Sequence, residues 1–405
     1  MTAVAIPARR ALFAVAATIA AGVALVLVAA FSTRTGDATG PVGDDRVVAT
    51  LQSSGPARSE LLRSRLRASR AAPEDPAAAK AAARLLIEEG RAAGDSRLVG
   101  AALAVLRPFL DAPDAEALAL AASARQYQHD FTGALDLLDR ALALSPADAA
   151  SLLSRASINV VIGRLDTAAG DCRRLLTLRA LDLGLICQAI VAMPTAAAPA
   201  TYARLEAIMA RTALLDAGLR GYALGLLGET ALLQGRRDLA RTHLAAALAE
   251  DPDALRVRLM LADVALLDGS PGAALAALDG TPDVDAVLLR RAIAADRLGD
   301  RDLRNAAAAE LASRFRRNLD LGLVAHAREE ARFYLEVEPD PGLALARAEA
   351  NWSLQREIED AQLLIDAAVA ADRPDAAAPV LRWIAEQSVT APALRIPESV
   401  RMAAR

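Results

Sequence analysis

Catalysis and metal binding need histidines, cysteines or paired carboxylates at short, regular spacings. The three histidines of this chain, His129, His243 and His326, stand far apart in the sequence, and none belongs to an HExxH-type ligand pair. His326 and Glu329 are three apart on a predicted helix and would supply half a metal site, but a surface pair is the expected role. There is no GxSxG elbow, no GxxxxGK[ST] phosphate loop and no GxGxxG fingerprint. The run from Gly221 to Gly228 is glycine-rich, yet no strand precedes it and its glycines are spaced for close helix contact. Carboxylates are abundant, but no pair stands out from solvated helix faces. The chain is therefore expected to be no enzyme and to hold no metal and no cofactor.

Two cysteines remain, Cys172 and Cys187, and C-x14-C is neither a redox nor a zinc spacing. Cys172 falls in the second helix of one predicted helix pair and Cys187 in the first helix of the next. Two readings stay open. In an oxidising compartment they form a disulfide, which for a loop of about 15 residues is worth roughly 3 kcal/mol in the chain-entropy model. Otherwise they are two buried thiols acting as small hydrophobes.

The elements that must carry these residues are helical. Of 405 residues, 54% are hydrophobic but only 3% aromatic, and about a quarter are alanine. Alanine and leucine are the strongest helix formers, whereas residues favoured in strands are scarce. The balance of 46 basic against 50 acidic residues, net −4, argues against nucleic acid as a partner. Only one basic residue is a lysine, Lys80, which reads as coding bias.

Ala11 to Phe31 is an uninterrupted uncharged run, long enough as a helix to span about 30 Å of hydrocarbon. Arg9 and Arg10 precede it, so the positive-inside rule keeps the amino terminus in the cytoplasm. The competing reading is a signal peptide cut near Val28-Ala29-Ala30. Either way the bulk of the chain is expected outside the cytoplasm: tethered to the inner membrane by a single pass over residues 11–31, or secreted to the periplasm. Residues 1–31 thus form the anchor or signal. Residues 32–57, rich in Gly, Pro, Ser and Thr, form a flexible linker. Ser59 to Arg70, with four arginines among leucines, is expected to be a solvated first helix.

Beyond the linker the sequence repeats itself. Gly228, Gly235, Ala240 and Leu244 recur at a constant offset of 34 as Ala262, Gly269, Ala274 and Leu278. Ala122, Ala134, Leu138 and Ala141 recur at the same offset as Ala156, Ala168, Cys172 and Leu175, and Gly163 takes the turn position of Gly235. A helix pair explains this comb. Small residues let two helices cross closely, glycine ends the first helix, and proline stops the second. One pair cannot bury its own apolar stripe, so neighbouring pairs must stack.

The segments His129-Asp130-Phe131-Thr132-Gly133-Ala134-Leu135 running to Ala141 and Pro146, and Leu224 to Pro252, resemble the tetratricopeptide repeat family, in its membrane-anchored or exported bacterial form. The resemblance implies an all-α fold, a right-handed superhelix of helix-turn-helix units over 58–388, followed by a tail, 389–405, expected to fray. Eight or so pairs are expected, in an open arc. One irregular unit holds Pro194 and Pro199 in its turn. Another starts near Gly342, with Ala361, Ile365 and Ala368 in its second helix.

In the resembled family the first helices line a concave groove that binds peptides or partner proteins. By register, the groove residues here would be Glu116, Ser123, Gln126 and Tyr127, then Ser157, then Tyr222 and Glu229, then Arg256 and Asp263. Trp352 and Trp383 are expected to pack within the last units. These features suggest a non-enzymatic scaffold or assembly factor that binds another protein or peptide outside the cytoplasm. The alternative is an accessory helical subunit of a cell-envelope (cell-wall) enzyme complex.

Overall fold

The computed structural model describes residues 56–211, 217–320 and 326–403. The apolar segment 11–31 and the linker up to residue 55 lie outside the described residues. Among the described residues no helix is long and apolar enough to cross a membrane.

These residues form twenty α-helices and no strand. A leading helix, α1 (Pro56–Ala71), precedes nine pairs. They are α2 (Pro76–Ala93) with α3 (Ser96–Leu106), α4 (Ala115–Tyr127) with α5 (Phe131–Leu144), and α6 (Ala149–Val161) with α7 (Leu165–Thr177). Next come α8 (Leu181–Ala192) with α9 (Ala198–Met209), α10 (Ala217–Leu233) with α11 (Arg237–Glu250), and α12 (Leu255–Leu267) with the short α13 (Pro271–Ala277). The last three are α14 (Asp285–Leu298) with α15 (Arg301–Asp320), α16 (Ala327–Glu336) with α17 (Pro341–Leu354), and α18 (Ile358–Ala370) with α19 (Ala378–Glu386). A final short helix, α20 (Glu398–Ala403), closes the described chain.

Local chemistry sets the boundaries at the repeat period. Asp114 caps α4 and Asp148, one repeat on, caps α6, each accepting from backbone N–H groups of the first turn. Gly163, Gly235 and Gly269 end first helices at φ of +78°, +74° and +69°, and His129 fills the same turn at φ +61°. The small residues of the comb sit at helix crossings: a Cβ on Gly228 would lie 2.7 Å from the Leu244 side chain. Ala134, Ala168, Ala240 and Ala274 are all fully buried.

Arginines stitch one unit to the next, a structural role beyond the coding bias that composition suggests. Arg91 reaches Ser123 Oγ at 2.8 Å and Arg237 reaches Asp268 at 2.9 Å, while Arg220 ties the two helices of its own pair through Glu250 at 2.8 Å. Lys80 likewise joins its unit to the next through Asp114 at 2.8 Å. Between α7 and α8, Cys172 and Cys187 are joined in a disulfide with Cα atoms 5.3 Å apart.

Three expectations need correction. First, the C-terminal units are out of phase with the comb by one helix. Pro341–Leu354 is the second helix of its pair, and Ala361, Ile365 and Ala368 lie on α18, a first helix. The short, charged α16 carries few of the small residues that mark the other pairs, so the comb passes over its unit. Second, the superhelix is not an open arc. The Arg356 N–H donates to the Val161 carbonyl at 2.7 Å, Gln387 Oε1 accepts from the Leu165 N–H at 2.8 Å, and Gln355 contacts His129 Nδ1 at 3.2 Å. Small rotations between units accumulate along nine closely packed pairs until the end of the chain meets its middle.

Third, the tail does not fray. The Thr390 N–H donates to the Pro194 carbonyl and the Ala393 N–H to that of Leu233, at 2.8 and 2.9 Å. Val389, Ala391 and Val400 are buried, and the largest core cluster runs from Leu142 to Val400. Trp352 and Trp383 pack edge to face, ring centroids 5.5 Å apart, inside that cluster.

Candidate interaction site and internal cavity

The repeat period carries an ion pair with it. Glu229 on α10 pairs with Arg256 on α12, and Asp263 on α12 pairs with Arg290 on α14, one repeat further along for each partner. The Arg290 Nε–H donates to Asp263 Oδ2 at 2.9 Å, and Arg332 on α16 approaches Asp263 Oδ1 at 3.4 Å. From the same helix Arg328 grips both oxygens of Asp360 at 2.7 and 2.8 Å and reaches Glu357 at 2.8 Å. A train of alternating charge therefore runs along the inner wall from α10 to α18.

This train faces a cavity of about 790 Å³ inside the closed superhelix. First helices supply most of the wall, and residues 392–395 of the tail cover part of it. Burial pushes the carboxyls of Glu329 and Glu357 up to about 7, even with Arg328 beside them. Burial likewise raises Glu229 against the pull of Arg256. It disfavours ionisation of Asp263 too, yet Arg290 and Arg332 together hold that carboxyl below the usual range. The guanidinium groups of Arg328 and Arg332 stay protonated despite burial because acids surround them.

The predicted groove residues separate into two groups. Glu229, Arg256 and Asp263 line the cavity, and burial raises the nearby Tyr222 phenol, whose hydroxyl is buried without a hydrogen-bond partner. The others serve the stacking of the first units. Glu116 pairs with Lys80 at 2.9 Å and with Arg84, keeping half its side chain exposed. Ser123 accepts from Arg91, and the Tyr127 hydroxyl donates to the Gly90 carbonyl at 3.3 Å. Gln126 is buried, and the buried Ser157 hydroxyl bonds to its own helix at Leu153.

The cavity residues not anticipated from sequence are Arg290, Arg328, Arg332, Glu329, Glu357 and Trp383. Arg290 was within reach, being one period after Arg256. Arg328 and Arg332 belong to the unit that falls out of phase with the comb. His326 and Glu329 are not a surface pair: both are buried, and His326 Nδ1 lies 3.4 Å from Asp285 Oδ2. Burial lowers that histidine to about 3, which keeps it neutral. Among the described residues no group of three or more His, Cys, Asp or Glu is placed to hold a metal ion.

The fold and this wall define a stacked helix-pair repeat protein whose chain end packs back onto its middle units, leaving a lined inner cavity. The tetratricopeptide repeat family model matches residues 119–182 and 226–285, which carry two of the nine stacked helix pairs whole and parts of others. No curated protein matches it. Solved structures similar to it include the human IFIT1 dimer with m7Gppp-AAAA, at 12% identity and TM-score 0.46, covering 82% of this chain and 86% of that one. Yeast Tom70 is similar at 13% identity and TM-score 0.40, over 86% of this chain and 84% of that one.

Proposed function

We propose that the protein is a non-enzymatic scaffold or assembly factor, tethered to the inner membrane through residues 11–31, that holds a partner protein or peptide outside the cytoplasm. The observation that carries this reading is the stack of tetratricopeptide-type pairs, a fold that presents extended inner surfaces to partners. Support for the location is the uncharged run after Arg9 and Arg10. Closure restricts where a partner can sit, because residues 355–395 cover the inner wall of the middle units. The partner surface is therefore assigned to the first units, where Glu116 stays half exposed beside Lys80 and Arg84.

The test is crosslinking of the full chain in intact cells with a reagent that cannot cross the inner membrane, followed by capture from membranes. An exchanged-charge variant, Arg84→Glu with Glu116→Arg, serves as the control. A discrete extracytoplasmic protein retained by the native chain and lost with the variant supports the reading. No crosslinked partner, or the same proteins with both forms, refutes it.

A further inference from the structure

The cavity of about 790 Å³ is partly open to solvent and lies in the size range of small-molecule sites. Its lining combines apolar residues, among them Met193, Met260 and Trp383, with charged ones, among them Arg256 and Arg332.

The charged residues have spare donors. Arg256 donates one hydrogen bond, to Glu229, and Arg332 donates two, to Glu336 and Asp263, out of the five N–H groups each guanidinium owns. Glu329 is 5% exposed, lines the cavity, and has one carboxyl oxygen, Oε2, buried with no hydrogen-bond partner. Eight arginines stand in the wall against seven carboxylates. Two of those carboxyls, Glu329 and Glu357, are pushed up to about 7 by burial, so near neutral pH the balance is further toward positive.

We propose that the cavity binds one anionic amphiphile, a molecule with a single carboxylate or phosphate head and an apolar body. The head accepts from Arg256 and Arg332, with the protonated Glu329 as a further donor, and the body lies against Met193, Met260 and Trp383. An uncharged ligand would leave the spare guanidinium donors unpaired in a partly desolvated pocket, and a cationic one would be repelled by Arg256 and Arg332. This site is separate from the partner surface proposed on the first units, and either can stand if the other fails.

The test is photolabelling of the full chain with a diazirine analogue of lauric acid, with labelled peptides mapped by mass spectrometry. Laurate, dodecyl phosphate, dodecanol and a short acidic peptide serve as competitors. Peptide mapping separates cavity labelling from labelling of the apolar residues 11–31. Label is expected on peptides covering 355–366 and 383–395. Laurate and dodecyl phosphate should displace it at concentrations at least tenfold below dodecanol; whichever of the two is stronger identifies the head group.

Arg332→Gln should cut cavity labelling about tenfold. Leu335→Trp, which fills the cavity from a half-buried position and keeps every charge, should abolish it with an unchanged circular-dichroism spectrum. Label confined to residues 11–31, equal displacement by dodecanol, or displacement by the peptide alone would overturn the proposal. So would full labelling of a folded Leu335→Trp protein.

Discussion

Trp383 donates its indole N–H to the carbonyl oxygen of Gly163 at 3.1 Å, joining residues 220 apart in the sequence. A Cβ at Gly163 would lie 2.6 Å from that indole nitrogen. One glycine therefore ends α6 with a left-handed turn and also receives the end of the chain. Closure of the superhelix depends on both.

This double duty makes Gly163→Ala more damaging than the same change at an equivalent turn. At Gly235, φ is +74° and a Cβ would meet nothing within 4 Å, so Gly235→Ala should cost only the left-handed strain, about 1–2 kcal/mol. Gly163→Ala should cost about 2–4 kcal/mol, since it adds overpacking against Trp383. Urea denaturation of both variants measures the difference, and equal losses would mean that the contact with Trp383 contributes nothing.

Asp263 faces Arg290, whose side chain is 9% exposed, and Arg332, which is less buried and also pairs with Glu336. Asp263→Ala is expected to destabilise by about 3 kcal/mol, because it leaves the buried Arg290 guanidinium without its carboxylate while Arg332 keeps Glu336. Glu116→Ala, at a pair whose acid is half exposed, should cost less than about 1 kcal/mol. The two unfolding midpoints decide whether the charge train holds the fold together or merely decorates it.

The disulfide makes a redox prediction. Reductant should lower the unfolding free energy of the native chain by about 2–4 kcal/mol, and Cys172→Ser with Cys187→Ser should show the same stability with or without it. Thiol labelling of the denatured, unreduced chain should find no free cysteine. Labelling at both positions would leave the two-thiol reading standing.

Glu329 has a folded pKa of about 7 against an ordinary 4.5, so the folded state binds the extra proton between those values. Its contribution to stability is full below pH 4.5 and is lost as pH rises through 7. His129 and His326, lowered by burial to about 4 and about 3, act in the opposite direction, but only below their ordinary 6.5. Glu330 and Glu357 are raised to about 7 in the same way, so the acids of this region together take stability away as pH rises toward and through 7, and Glu329→Gln should reduce that loss without abolishing it. An identical pH profile for the two proteins would place the Glu329 carboxyl in contact with solvent.

Much of the architecture was legible one residue at a time. Gly228, Gly235, Ala240 and their partners one repeat on encode a helix crossing and a turn, because close packing and a left-handed φ depend on local side-chain size. The same period carries Glu229 and Arg256 into Asp263 and Arg290, so even the ion pairs of the inner wall were implicit in the spacing. The C-terminal units escape that reading because α16, short and charged, carries few of the small residues that mark the others.

Composition and periodicity alone determined that this chain is helical, that its helices come in pairs, and that the pairs stack. Whether the stack stays open is a sum of small rotations over nine units, and no single residue reports that sum. Only the tertiary structure could bring Trp383 to Gly163, fold residues 389–403 onto the middle repeats, and turn the expected open groove into a lined cavity. Burial then decided the chemistry of that wall. Solvated glutamates and arginines on a helix face are ordinary, but the buried ones, such as Glu329 and Arg290, must find a partner or shift their proton.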